Sequence, residues 1–273
     1  MTAPRGRPRV GLTIAGCDPS GGAGLAADLM VMRDFGLHGT FVVTTVIAQN
    51  TRGVSASWPM TARQVVEQLE VLLGDVAVDA VKIGALGSAE VARAVAGPLA
   101  AWRRGGGGVV VLDPVYRSGQ NTVSIGGEAV AEAIADALLP LCDAVTPNVP
   151  EAEHLTGLTI DGPEGLIAAG RALVARGASA ALLKVGHLPG APDDVLVCAD
   201  GRVTTLPLPR RFAMEVRGTG CHLATALACA LLEEPDVPAA ARRARAYLDA
   251  LWADGTASVG GGARVFFHGE GRP

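Results

Sequence analysis

Arg9-Val10-Gly11-Leu12-Thr13-Ile14-Ala15 is an apolar run that stops at the turn Gly16-Cys17-Asp18-Pro19-Ser20-Gly21-Gly22-Ala23-Gly24. A helical pattern over 22–35 takes over, and a second apolar run covers 39–47. Strand, glycine-rich turn, helix and strand in that order are the parts of a parallel crossover unit. Outward from this unit the alternation continues. Helices are predicted over 61–73, opened by Thr61, over 88–103, capped by Ser88, and over 127–139, 150–155, 163–176, 220–233 and 237–253. Strands are predicted over 78–83, 108–112, 144–146 and 180–184, with a hairpin 195–198/203–206 turning at Asp200-Gly201. The expected class is α/β, a mostly parallel sheet with helices on both faces. No internal repeat or long linker divides the chain. The expected organisation is a flexible leader over 1–8, one domain over 9–259 and a loosely held, glycine-rich tail over 260–273.

Composition narrows the function classes. With 49% apolar and 18% charged residues in 273, a large core is available and disorder is confined to the ends. A net charge of −4 without a basic block disfavours nucleic acid as a partner. No apolar run is long enough for a membrane span, and no signal-peptide core follows the N-terminal arginines. The cysteines (17, 142, 198, 221 and 229) are odd in number and lack C-x-x-C spacing. That argues against a zinc site or a disulfide framework and makes a reducing cytoplasm the expected compartment.

Ligands of such folds bind at the carboxyl ends of the strands. Polar clusters fall there repeatedly: 16–24, Ala48-Gln49-Asn50-Thr51, Lys82-Ile83-Gly84, Asp113-Pro114-Val115, Thr146 to Glu151, and Lys184 to His187. Late in the chain Arg217-Gly218-Thr219-Gly220-Cys221 runs straight into an alanine-rich helix. Free N–H groups and the helix dipole at such a start favour an anion, and a thiol stands where it would arrive. A plain glycine-rich loop before a buried helix fits the same residues. Neither glycine loop matches the Walker A or dinucleotide patterns. Asn148 and Glu151, three apart, can share a helical face and order water around Mg²⁺, or serve as a helix N-cap with an acid in the first turn. Lys184 can reach phosphate oxygens, or snorkel from a strand end. His187 reads as structural. Asp113, following a buried strand, needs a partner.

Taken in order from about residue 9 to 256, these motifs resemble the hydroxymethylpyrimidine/phosphomethylpyrimidine kinases of the ribokinase-like superfamily. The motifs are 12–24, Ala27-Asp28-Leu29, 48–54, 82–84, 111–115, 146–152, 184–188 and 218–221. The resemblance implies a three-layer αβα sandwich, a homodimer, and ATP and Mg²⁺ as cofactors. The activity it implies is phosphorylation of 4-amino-5-hydroxymethyl-2-methylpyrimidine, and then of its monophosphate, in thiamine biosynthesis. It also implies site roles. Gln49 and Asp28 would meet the ring, with Gly16, Val115 and Ala85 lining its pocket. Lys184, Asp113 and Asn148 would meet the nucleotide, and Glu151 the metal and its waters. Gly218, Thr219 and Gly220 would form an anion hole, with Cys221 as catalytic base.

The chain also departs from the family pattern. Cys17 replaces a usual serine, Ala85 a frequent methionine, Val185 a glycine, and the 115–119 lid is two residues shorter, with Arg117 in place of its lysine and expected to contact the nucleotide. Arg217 and His222 flank the anion hole where histidine and threonine are usual. These departures keep two other readings open: a pyridoxal or pyridoxine kinase, with a pocket widened at Ala85 and Tyr116, and a non-catalytic pyrimidine-binding homologue.

Overall fold

The computed structural model describes residues 7–116, 127–186, 193–208 and 216–269. Arg117 and His187 lie outside them. The strands are β1 (Val10–Cys17), β2 (His38–Asn50), β3 (Gly53–Pro59), β4 (Ala80–Ile83), β5 (Val109–Leu112), β6 (Ala144–Val145), β7 (Ala180–Leu183), β8 (Asp193–Cys198) and β9 (Val203–Pro207). They form one sheet in the order β3-β2-β1-β4-β5-β6-β7-β8-β9. β2 through β7 in that order are parallel, β3 runs antiparallel at one edge, and at the other β8 runs antiparallel to β7 and β9 antiparallel to β8.

The helices are α1 (Gly24–Asp34), α2 (Ala62–Asp75), α3 (Ala89–Arg104), α4 (Glu128–Ala137), α5 (Val149–Thr156), α6 (Pro163–Ala175), α7 (Thr219–Leu231) and α8 (Val237–Asp254). Thr61 and Ser88 cap α2 and α3 through their side chains, as their positions before amphipathic runs predicted. One apolar cluster joins the sheet to α2 through α6, and a second joins its other face to α7, α8 and Val31 of α1. This is the expected three-layer sandwich. β1 lies between β2 and β4, reached by helices on opposite faces, so a crevice opens beyond the carboxyl ends of β1 and β4.

Two elements escaped the sequence. β3 carries the strand alternation Val54-Ser55-Ala56-Ser57-Trp58, a short run of mostly small residues, and pairs antiparallel with β2. The second is a correction to the loose tail. Residues 256–268 fold back onto the domain, where β10 (Thr256–Ala257) pairs with β11 (Val265–Phe266). Val265 and Phe266 are buried, and the Gly262 and Ala263 N–H groups donate to Thr51. Three successive glycines at 260–262 hide this from composition, since they fit against Thr51 and Arg52 where a Cβ would collide.

Candidate active site

A cavity of about 790 Å³ occupies the crevice. One wall comes from the turn after β1 and the end of β2. Gln49 Nε2 donates to Asp18 Oδ2 at 2.7 Å, and Asp18 Oδ1 accepts the Ser20 N–H and hydroxyl at 2.8 and 2.7 Å. A donor facing a carboxylate fixes the orientation of the amide. The Gln49 carbonyl oxygen is therefore the acceptor left for a ligand. Gly16, Ala85 and Val115 complete this wall.

The opposite wall is ionic. Lys184, just beyond β7, places Nζ 2.8 Å from Asp113 Oδ1, and Thr146 donates to the same oxygen at 3.2 Å. Asn148 caps α5 by accepting the Glu151 N–H at 2.9 Å, while Glu151 accepts the Asn148 N–H at 2.8 Å. The capping box is real, and both residues still line the cavity. Burial pushes the Glu151 carboxyl up to about 7 despite the nearby Lys184 ammonium. Burial disfavours the Lys184 charge, but Asp113 and Glu151 outweigh it and raise the lysine.

Between the walls stands the N-terminus of α7. Gly218 adopts a left-handed φ of 75° and lies against Gly22, whose carbonyl oxygen a Cβ at 218 would overlap. Only glycine allows these two backbones to meet. Gly218, Thr219, Gly220 and Cys221 all face the cavity. Burial pushes the Cys221 thiol up to about 11, against the pull of the Lys82 ammonium. The helix start thus does not make a thiolate at neutral pH, because desolvation outweighs the favourable charge.

Behind the turn, His222 Nδ1 lies 2.7 Å from the Gly218 carbonyl oxygen and Nε2 lies 3.1 Å from His268 Nε2. His268 Nδ1 is 2.8 Å from Asp34, which also accepts the Tyr247 hydroxyl at 2.7 Å. Burial pulls His222 down to about 4, so its ring is neutral. With Nδ1–H on the carbonyl, Nε2 is the acceptor for His268.

Every expected site residue within the described regions lines the cavity except Asp28. Asp28 is buried beneath it, paired with Lys82 Nζ at 2.8 Å and accepting the Thr13 and Thr225 hydroxyls at 2.6 and 2.7 Å. That is a correction: its hydrogen-bonding capacity is spent inside the protein and not beside Gln49. Tyr116 likewise turns into the core and donates to the Pro150 carbonyl. Asp18, Lys82 and the 261–264 segment were not assigned roles from sequence. A lysine inside an otherwise apolar strand was the available signal for Lys82. Asp18 sat unweighted inside the first glycine loop.

The phosphomethylpyrimidine kinase family model matches residues 18–264. A hydroxymethylpyrimidine/phosphomethylpyrimidine kinase of Streptomyces coelicolor is 39% identical, with 98% of each chain covered. Among solved structures, a phosphomethylpyrimidine kinase from Clostridium difficile superposes with a TM-score of 0.77 at 30% identity, covering 89% of this chain and 98% of its own. A pyridoxal kinase from Staphylococcus aureus in complex with pyridoxal superposes with a TM-score of 0.83 at 25% identity, covering 96% and 94%. With the family model matching residues 18–264 and a relative of almost equal length covered over 98% of both chains, the chain belongs to the phosphomethylpyrimidine kinase family.

Proposed function

We propose that the protein transfers the γ-phosphoryl group of ATP to the hydroxymethyl group of 4-amino-5-hydroxymethyl-2-methylpyrimidine, and then to the resulting monophosphate, serving thiamine biosynthesis. The observation that carries this reading is the anion hole at 218–221 standing between an amide wall, Gln49 on Asp18, and an ionic wall, Lys184 on Asp113. The Gln49 carbonyl oxygen suits the exocyclic amine of an aminopyrimidine. Lys184 and Asn148 suit nucleotide phosphates.

Asp113 and Glu151 offer carboxylate oxygens on the nucleotide wall, and no described cluster of three or more His, Cys, Asp or Glu encloses a metal. That donor set fits Mg²⁺, which takes one or two carboxylates and fills its shell with water and phosphate. When bound it supplies positive charge to the phosphate oxygens. In the transfer, the substrate oxygen bonds to the γ-phosphorus. The bond from that phosphorus to the bridging oxygen breaks, and ADP leaves with the electron pair. Backbone N–H groups of the α7 turn meet the charge on the phosphoryl oxygens. The hydroxyl proton passes to the thiolate fraction of Cys221, which is small at neutral pH because burial outweighs the pull of the Lys82 ammonium.

The exposed cross-strand pair Val46 and Trp58 on the β2–β3 edge supports a homodimer. Five free thiols support a reducing cytoplasm, and no described helix is long and apolar enough to cross a membrane.

The test is ADP formation with the pyrimidine alcohol, its monophosphate and pyridoxal as acceptors. Turnover of the alcohol supports the reading. A higher kcat/KM for pyridoxal selects the pyridoxal kinase alternative. Calorimetric binding of the pyrimidine without ADP formation selects the non-catalytic one.

A further inference from the structure

Arg217 is an unusual arginine for this molecule. It borders the cavity, its Nε is shut off from solvent, and that nitrogen has no hydrogen-bond partner. Among the described residues no carboxylate pairs with its guanidinium. Its position is nonetheless fixed. The Arg217 N–H donates to the Arg264 carbonyl at 2.8 Å, Val216 and Arg264 form a parallel bridge, and the Arg217 stem packs over Gly22. A desolvated guanidinium nitrogen without an acceptor costs free energy in the unliganded protein. The cavity beside it is where an acceptor can arrive.

The turn itself says which ligand. Its far end, Gly220, faces Lys184 and Asp113 on the ionic wall. Its near end, Gly218 preceded by Arg217, lies against Gly22 and Ala23, in the loop that also carries Asp18 and thereby Gln49. Arg217 is on the acceptor side of the anion hole, and the donor phosphates have their cation in Lys184. We infer that Arg217 binds the phosphate of a phosphorylated acceptor and so favours the phosphate ester over the free alcohol in the acceptor subsite. A guanidinium grips two phosphate oxygens at once, which a shorter imidazole at that position does not. This rests on the proposed function and specifies the second of its two transfers.

The experiment compares wild type with Arg217→Ala and Arg217→Lys. Steady-state KM is measured for the pyrimidine alcohol, its monophosphate and ATP, and calorimetric binding of each acceptor is measured without nucleotide. In Arg217→Ala, monophosphate binding should weaken by about 10- to 150-fold, the range for a lost charge-assisted bond. That loss should exceed the loss for the alcohol by at least about tenfold, and Arg217→Lys should recover part of it. Equal losses for alcohol and monophosphate indicate a merely structural role and overturn the inference. A rise in KM confined to ATP places the guanidinium on the donor and also overturns it. Wild-type failure to phosphorylate the alcohol overturns the function proposed above. Intact alcohol turnover with no difference between wild type and Arg217→Ala on the monophosphate overturns this inference alone.

Discussion

The Lys82 ammonium lies 2.8 Å from the Asp28 carboxylate, and neither side chain has any solvent exposure. The pair sits directly under the cavity, and Lys82 is held charged there: burial opposes the charge, and Asp28 more than restores it. Removing one partner strands the other in a medium of low dielectric. Asp28→Ala should therefore lower unfolding free energy in urea by about 3–5 kcal/mol. The double variant Asp28→Leu/Lys82→Met should recover much of that loss. If Asp28→Ala is as stable as wild type and only pyrimidine binding suffers, Asp28 belongs to the substrate after all.

Gln49 supplies an acceptor whose direction Asp18 sets. Gln49→Leu leaves a polar atom of the bound ring unpaired, at about 1–3 kcal/mol. The pyrimidine KM should rise about 5- to 150-fold while the ATP KM moves little. Asp18→Ala should give a smaller change of the same kind, because the amide remains but is free to turn. Parallel loss of both KM values in Gln49→Leu would point to a distorted fold.

The Cys221 thiol at about 11 gives the proton-transfer step a pH signature. If the thiolate takes the hydroxyl proton, its fraction climbs about tenfold per pH unit below that value. The chemical step, followed by single-turnover quench, should accelerate accordingly between pH 7 and 10. Cys221→Ala should flatten the profile and slow the step at least about 100-fold. A flat wild-type profile removes the thiolate from this role and leaves the backbone anion hole standing. The same shift bears on stability. The folded group ionises near 11 against 9.0 for a free thiol, so its contribution is complete below the lower value and lost as pH rises through the upper one.

His268 joins Asp34 to His222, and His222 holds the Gly218 carbonyl. His268→Leu leaves the Asp34 and His222 nitrogen and oxygen positions short of a partner in a largely buried place. A stability loss of about 1–3 kcal/mol is expected, read as a lower Tm. Because Gly218 begins the proposed anion hole, kcat should fall as well, and His268→Gln should restore more of it than His268→Leu. A Tm equal to wild type would mean that the 256–268 segment is not held through this histidine.

The layers of the fold were legible because strand and helix periods alternate cleanly and Thr61 and Ser88 mark helix starts. β3 was not read, although Val54, Ala56 and Trp58 alternate with Ser55 and Ser57, because the run is short and built mostly of small residues, and its pairing with β2 completes it. At the site, residues that end strands were found by position alone. What failed was the sense of direction. Asp28 and Gln49 both follow from motifs, yet one side chain enters the core and the other the cavity, and helix periodicity does not separate a buried ion pair from a ligand contact. The 261–264 wall was invisible for a different reason: glycines report where backbone fits, and only the fitted partner shows what they are for.

The hydrogen bond from Thr225 to Asp28 spans 197 positions in the chain. A contact of that separation closes a long loop and is expensive to form early. Until α7 docks, the Lys82–Asp28 pair lacks its roof, and the turn that begins α7 has no Gly22 to lie against. In kinetic terms, the expectation is that the region around the α7 turn is among the last to acquire native structure, after the parallel strands have found one another. Substitutions at Thr225 should then speed unfolding and leave the refolding rate nearly as it was.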